Sequence, residues 1–302
     1  MKLQIAARLK PFCHLPGTTC MIPLTHVQLQ VFPTLLRFLD LATGKAWEEK
    51  LDWKGPVEGF TVELDLEKGC VEVFGKTQSG FRRVTIKQDL AMKKPEIERL
   101  SLGSHAKLDW ELVLRRMDME EMVPVLFQLG QLVPDSNATT PILDFLKFSD
   151  KNEIAAQLAS FFKTGFHGML APRLKDEDFQ GIVEEGKAGG SPLALLREGY
   201  KAVRSLLFTE DEGFSFLPNL PPQFHAGRLL NLRSSHGDLI SIEWSKKQLK
   251  KVVIKPASTR EVPLTLQKFL GSFRINKKVK HDVKKPLSLT AGKTLFLDRF
   301  EK

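Results

Sequence analysis

The sequence predicts an α+β multidomain fold, with an N-terminal antiparallel β-sandwich, a short helical middle and a C-terminal β-sandwich or jelly roll. Apolar residues alternate with polar ones in the first and last hundred residues, which is typical of half-buried strands. Between them the apolar spacing becomes helical and helix-capping residues appear. A chain of 302 residues is long enough for two or three cores. We therefore predict a β-sandwich domain over residues 1–100, a helical domain over 101–210 and a basic β-sandwich domain over 211–302.

Strands are predicted throughout the first hundred residues. Phe60, Val62, Leu64 and Leu66 alternate with polar residues, and a Glu-Lys-Gly turn follows them. Residues 26–39 suit either a strand or a helix. Pro33 in the middle of this segment favours two short pieces, because proline cannot donate a hydrogen bond to a central ladder.

Four or five helices are predicted between residues 106 and 208. Asp150 with Glu153, and Asp118 with Glu121, have the spacing of a capping box. Pro124 is expected to kink or delay the second of these helices. Ser191 followed by Pro192 predicts a third helix start. Shorter helices are expected over residues 109–116 and 141–148.

The last hundred residues return to the strand pattern. Ile240, Ile242 and Trp244 alternate with other residues, and residues 249–255 are expected to pair with them across a turn at Lys246 and Lys247. Further short strands are predicted around residues 262–266, 269, 273–275 and 295–297. Their regular spacing is typical of a sandwich or jelly roll.

Composition indicates a cytoplasmic protein without a membrane partner. No apolar run approaches the roughly 18 residues that span a bilayer. The apolar N-terminal stretch is broken by Arg8 and Lys10, so it does not suit a signal peptide. Three cysteines are an odd number, which favours reduced thiols over a disulfide framework. No cofactor-binding motif is found, and we predict no cofactor.

The positive charge is concentrated at the C-terminal end. Residues 245–302 contain 16 Lys and Arg against 4 acids, a net charge of +12, whereas the rest of the chain carries 29 against 32, a net charge of −3. Such asymmetry indicates a site for a nucleic acid, an anionic lipid or an acidic partner. The alternative is that lysines protect strand edges from aggregation.

Residues 205–254 contain the pattern Phe-Leu-Pro-Asn-Leu-Pro at 216–221, then Gly227, Gly237, Ile-Glu-Trp at 242–244, Leu249 and Ile254. This order resembles the junction between barrel and C-terminal β-domain in (α/α)6-barrel glycosidases such as α-L-fucosidases and disaccharide phosphorylases. The resemblance implies a β-domain, helices and a second β-domain in that order. It also implies a function connected with carbohydrate.

The chain departs from that family in two places. About 100 residues are available for helices, too few for the family's barrel of twelve, and no position inherits a catalytic carboxylate. Lys247 and Gln248 stand where relatives usually have a glycine. We therefore expect a non-catalytic or weakly catalytic carbohydrate-associated protein that resembles a trimmed glycoside hydrolase. Any activity would be glycoside hydrolase-like. The alternative is an interaction protein that binds nucleic acid or an acidic partner through its basic C-terminal β-domain.

The candidate sugar-binding residues fall in two segments. His105, Asp109, Trp110 and Glu111 combine a ring that can stack on a pyranose with groups that bind hydroxyls. The alternative is that Asp109 caps a helix and Trp110 belongs to the core.

His167 and Arg173 form the second segment, in which Arg173 could clamp an anionic group. Cys13, His14, Cys20 and His26 lack the paired spacing of a structural zinc site, so no metal is predicted.

Overall fold

The computed structural model describes residues 3–5, 8–87, 96–103, 108–116, 118–134 and 192–302. The fold is α+β and rich in antiparallel sheets, as the sequence predicts. The helices predicted over residues 141–148 and from Asp150 lie outside the described residues, so they remain predictions.

The N-terminal region forms two four-stranded antiparallel sheets, an arrangement compatible with the predicted sandwich. The first has the order β1-β6-β7-β8 and the second the order β2-β3-β4-β5. The strands are β1 (Phe12–Cys13), β2 (Thr18–Met21), β3 (Val27–Val31), β4 (Leu35–Asp40), β5 (Ala46–Lys50), β6 (Glu58–Asp65), β7 (Cys70–Thr77) and β8 (Gly80–Ile86).

The ambiguous segment around Pro33 is a β-hairpin. Strands β3 and β4 pair from Val31 with Leu36 to Val27 with Asp40, and Pro33 lies in the turn between them. There its missing N–H costs no ladder hydrogen bond. The interpretation as two short pieces is therefore confirmed.

Three helices are found among the described residues: α1 (Trp110–Arg116), α2 (Met119–Gly130) and α3 (Pro192–Leu207). Helix α3 begins at its proline, as predicted. Helix α2 packs against α3 at Gly130, where a Cβ atom would overlap the carbonyl oxygen of Leu196. The rings of Phe127 and Tyr200 lie 5.0 Å apart in the same contact.

The capping of α2 differs from the prediction. Asp118 accepts a hydrogen bond from the backbone N–H of Glu120 at 2.8 Å. Glu121 does not reach back to the cap, because its carboxylate binds Arg116 at 2.7 Å. Pro124 does not delay the helix, which begins at Met119 and continues through the proline. The helix interior tolerates Pro124 although it removes one backbone hydrogen bond there.

The C-terminal region is built on a seven-stranded sheet of order β18-β17-β20-β14-β13-β12-β9. Its edge strand β9 comes from before the helices and pairs antiparallel with β12. Its strands are β9 (Arg99–Ser101), β12 (Gly227–Arg233), β13 (Leu239–Ser245), β14 (Gln248–Lys255), β17 (Ser272–Ile275), β18 (Val279–Asp282) and β20 (Leu295–Glu301).

Two smaller sheets complete this region. One has the order β10-β11-β16 and the other pairs β15 with β19. Phe269, predicted in a strand, lies in a loop instead and is 40% exposed. These strands are β10 (Phe208–Thr209), β11 (Phe214–Phe216), β15 (Arg260–Val262), β16 (Leu264–Thr265) and β19 (Leu287–Leu289).

The predicted turn between β13 and β14 is confirmed. Lys246 and Lys247 adopt φ values of 53° and 60°, in the left-handed region where Asn-Gly is the usual choice. The side-chain amide of Gln267 fixes this turn. It donates to the Lys247 carbonyl at 2.7 Å and accepts from the Leu249 N–H at 3.1 Å.

A ladder of alternating charges crosses the seven-stranded sheet. It runs from Arg274 on β17 through Asp298, Lys251 and Glu243 to Arg228 on β12, each residue registered against the next. The hydrogen-bonded distances include 2.8 Å for Arg274 to Asp298, 2.6 Å for Lys251 to Glu243 and 3.0 Å for Arg228 to Glu243. Beside this ladder, Leu3 covers a small apolar cluster of Leu230, Val253 and Phe296.

One apolar core cluster includes residues of all three predicted domains, among them Val62, Leu126, Leu207 and Ile242. The predicted domain boundaries nevertheless remain a prediction about independent folding. Within the described ranges, no helix combines the length and apolar character needed to cross a membrane.

Candidate ligand-binding cleft

The segment predicted to bind sugar begins helix α1. Asp109 accepts hydrogen bonds from the N–H groups of Glu111 and Leu112, at 3.2 and 3.4 Å, so it caps the helix. Trp110 is fully buried in the core and Glu111 pairs with Arg115 at 2.6 Å. A sugar cannot stack on a ring without exposed surface, so Trp110 does not offer a stacking face here.

The other predicted site residues are His105, His167 and Arg173, which lie outside the described residues. Whether they converge with Asp109 and Glu111 therefore stays a prediction.

A cleft of about 430 Å³ lies on the outer face of the first N-terminal sheet. This volume falls within the range of small-molecule sites. Its lining residues are Arg8, Lys10, Phe12, His14, Thr61, Glu63, Phe74 and Leu108. The cleft thus combines two phenyl rings with three basic side chains and one acid.

Strand geometry explains why these residues share one face. Arg8, Lys10, Phe12 and His14 are alternate residues, and alternate side chains of an extended chain point to the same side. The intervening Cys13 is fully buried on the opposite face.

Strands β6 and β7 supply the floor and the far wall. Phe12 pairs with Glu63, and Thr61 pairs with Phe74. The carbonyl of Leu108 accepts a hydrogen bond from the N–H of Phe12 at 2.9 Å. The segment predicted to bind sugar therefore contributes Leu108 to the cleft.

Hydrogen bonding fixes the orientation of the His14 ring. Its Nδ1 lies 3.2 Å from the Phe60 carbonyl and 3.0 Å from the Thr61 hydroxyl. A carbonyl only accepts, and the Thr61 hydroxyl donates its proton to the Gly59 carbonyl at 3.1 Å. Nδ1 must therefore carry the proton. In the neutral ring, Nε2 is then left as an acceptor, and it has no hydrogen-bond partner among the described residues.

The charge of Lys10 is balanced within the sheet. Its Nζ lies 3.0 Å from Glu63 and 2.7 Å from Asp65, which is fully buried. Hydrogen bonding to Asp65 raises the pKa of Lys10, against the effect of its own desolvation. Burial opposes ionisation of Asp65, yet Lys10 and the Lys68 N–H lower the pKa of that carboxyl. Both groups are therefore charged at neutral pH.

Arg83 extends the aromatic wall towards β8. Its guanidinium lies 4.9 Å from the centre of the Phe74 ring and 5.8 Å from that of Phe81. It also pairs with Glu72 at 3.2 Å. These contacts hold Phe74 in place at the cleft, whereas Phe81 is 63% exposed and does not line it.

This cleft was not predicted from the sequence, in which residues 8–14 suggest only a broken apolar stretch and candidate zinc ligands. The available signal is that polar residues alternate with apolar ones over most of this segment. The opposite directions of Cys13 and His14 also rule out both binding one metal ion, and no group of three metal-ligating side chains occurs among the described residues.

Neither a protein-family model nor a curated protein sequence matches this chain.

Proposed function

We propose that this is a carbohydrate-binding protein and that the N-terminal cleft holds the sugar. The observation that carries the proposal is the set of His14, Thr61 and Phe74 along one face of the sheet, with Phe12 beside them. A phenyl ring can pack against the apolar face of a pyranose. The His14 Nε2, the Glu63 carboxylate and the Arg8 guanidinium provide acceptors and donors for its hydroxyls.

The composition of the cleft favours binding over hydrolysis. Glycoside hydrolysis uses two carboxyl groups about 5 to 9.5 Å apart on either side of the scissile bond. Among the described lining residues only Glu63 carries a carboxyl group, and it is paired with Lys10. We therefore expect sugar binding without turnover, in keeping with the absence of inherited catalytic carboxylates.

The resemblance over residues 205–254 gives separate support for carbohydrate as the ligand class. It rests on Leu, Pro, Gly and Trp positions in the C-terminal region, far along the chain from the cleft. Support from the cleft and support from the resemblance therefore do not depend on each other.

The test is a calorimetric titration of the purified protein with mono- and oligosaccharides. A glycan array provides a second, broader screen. Phe74→Ala and His14→Ala should each weaken binding by roughly tenfold, the loss of one good packing or hydrogen-bonding contact. Phe81→Ala is the matched control, because Phe81 shares Arg83 with Phe74 but lies outside the cleft. It should leave the affinity within about twofold.

Two results would overturn the proposal. One is the absence of binding to any sugar at millimolar concentration. The other is an equal loss of affinity in the Phe81 and Phe74 variants while both remain folded.

A further inference from the structure

One end of the seven-stranded sheet gathers exposed lysines from three parts of the chain. Ser245 pairs with Gln248 at the β13–β14 turn, and Ser272 pairs with both Glu301 and Asp282. Strands β14 and β20 are antiparallel, and Lys251 pairs with Asp298. Gln248, three residues before Lys251, therefore lies level with Glu301, three residues after Asp298. Five exposed lysines at this end define what is here called the basic end: Lys246, Lys247, Lys268, Lys284 and Lys285.

Two of the three carboxylates near the basic end form ion pairs with cations outside it, and the third is held by a backbone N–H. Glu301 pairs with Lys280 at 3.0 Å, and Asp282 accepts a hydrogen bond from the backbone N–H of Lys284 at 2.9 Å. Asp298 is held by Arg274 within the charge ladder. Over the part of the chain that the structure describes, none of the five lysines forms an ion pair. Their charges therefore face solvent.

Protection of a sheet edge does not account for the first two lysines. Strands β13 and β14 are interior strands of the seven-stranded sheet, so their turn lies away from either edge. Lys246 and Lys247 also occupy left-handed backbone conformations that Asn and Gly adopt more easily. Two lysines thus occupy turn positions whose backbone angles favour Asn and Gly. The hydrogen bonds of Gln267 fix the conformation of this turn.

We propose that the basic end binds the phosphodiester backbone of a nucleic acid without reading its sequence. From β14 through β20 and β17 to β18 the surface spans three strand spacings, or about 14 Å. Double-stranded DNA carries one charge per roughly 1.7 Å of its axis, so this span covers several phosphates. All five cations are lysines, which act as point charges and lack the planar fork with which arginine reads guanine.

A protein partner fits this surface less well. Protein interfaces have cores depleted of charge and enriched in apolar side chains. Among the described residues of the basic end, Phe269 is the only large apolar side chain with substantial exposure. The basic end lies far in sequence from the sugar-binding cleft, so nucleic-acid binding there does not depend on the proposed function.

The test is fluorescence anisotropy of a labelled 20-base-pair duplex at several salt concentrations. Release of counterions by five lysines predicts a slope of log K against log salt of about −4 to −5. The variant Lys246→Asn with Lys247→Gly removes two charges and suits the turn better. It should bind roughly tenfold more weakly at low salt and reduce the slope by about 2. Its melting temperature should be unchanged or higher.

The matched control changes the same number of charges at the opposite end of the sheet. Lys277→Gln with Lys278→Gln alters the turn after β17. It should leave the affinity at 0.1 M salt within about threefold, because this turn lies roughly 16 Å along the strand from Ser272 and the Debye length is then about 10 Å. An equal loss in both double variants would overturn the proposal, as would no binding at 50 mM salt. Poly-glutamate serves as the acidic-protein probe. If it competed as well as DNA at equal charge concentration, the basic end would be a site for acidic protein and the proposal would be wrong.

Discussion

The Glu98 carboxylate accepts hydrogen bonds from the Arg204 guanidinium at 3.1 and 3.2 Å. Glu98 is buried, and the N–H of Arg233 also donates to it at 3.2 Å. The Gln131 side chain exchanges two further hydrogen bonds with the backbone of Glu98. One acid of the predicted N-terminal domain is thus bonded to the C-cap of α2, to α3 and to β12, and therefore to both of the other predicted domains.

Glu98→Ala should lower the free energy of unfolding by about 3 kcal/mol, because it leaves partly buried donors without an acceptor. Urea denaturation monitored by circular dichroism measures this change in the free energy of unfolding. Lys201→Ala, which removes an exposed pair with Glu198, should cost less than about 1 kcal/mol. We also expect one unfolding transition. Two separated transitions would instead support independent domains.

Acid should destabilise the protein through Asp238. This buried carboxylate is bound by Arg260, by the Ser234 hydroxyl at 2.7 Å and by the Ala257 N–H at 2.8 Å. Burial works against its ionisation, yet these hydrogen bonds lower the pKa of Asp238. A carboxyl with a lowered folded pKa stabilises fully above its unfolded pKa of about 3.9, and the effect is lost as the pH falls through the folded pKa.

The measurement is the free energy of unfolding in urea from pH 7 to pH 2.5. Asp238→Asn should be less stable at pH 7 by about 3 kcal/mol and should show a shallower loss below about pH 4. A variant with the wild-type slope would show that Asp238 does not carry this pH dependence.

A glycine is required at position 227 because the Trp244 ring packs directly against its backbone. A Cβ atom at Gly227 would overlap the indole ring and lie 2.7 Å from the Ser101 carbonyl of β9. Gly227→Ala should therefore cost about 3 kcal/mol, because ring and backbone must both shift. Gly271→Ala is the control, since its Cβ would lie 3.4 Å from Lys302, an ordinary contact. Thermal unfolding compares the two, and equal melting temperatures would contradict the packing argument.

The cysteines should be unreactive in the folded protein. Cys13, Cys20 and Cys70 are all buried and free. Burial raises the pKa of the Cys20 thiol to about 12, and it also raises the pKa of Cys13 and Cys70. Because the thiolate is the reactive form, a disulfide reagent at pH 8 should label none of them quickly and all three after unfolding. Rapid labelling of the native protein would contradict this.

Local patterns predicted the strands well because burial on one face leaves a period of two in the sequence. The hairpin at Pro33, the helix start at Pro192 and the turn at Lys246 all follow from residues close together in the chain. The cleft could not be predicted from such local patterns, because it depends on the strand register that places Phe12 opposite Glu63 and Phe74 opposite Thr61. Likewise, only the Asp118 half of the predicted capping box forms. The Glu121 carboxylate binds Arg116 instead of the backbone at the cap, and that contact cannot be read from the motif.

The alternating charges across the seven-stranded sheet have a consequence for how the chain chooses its strand alignment. Sliding one strand past its neighbour by two residues would leave every apolar side chain on its proper face, so burial hardly penalises the error. It would, however, move Asp298 away from both Lys251 and Arg274, so both ion pairs would be lost and charged side chains would lie opposite uncharged ones. The row of ion pairs therefore selects against misaligned sheets that the hydrophobic pattern would accept.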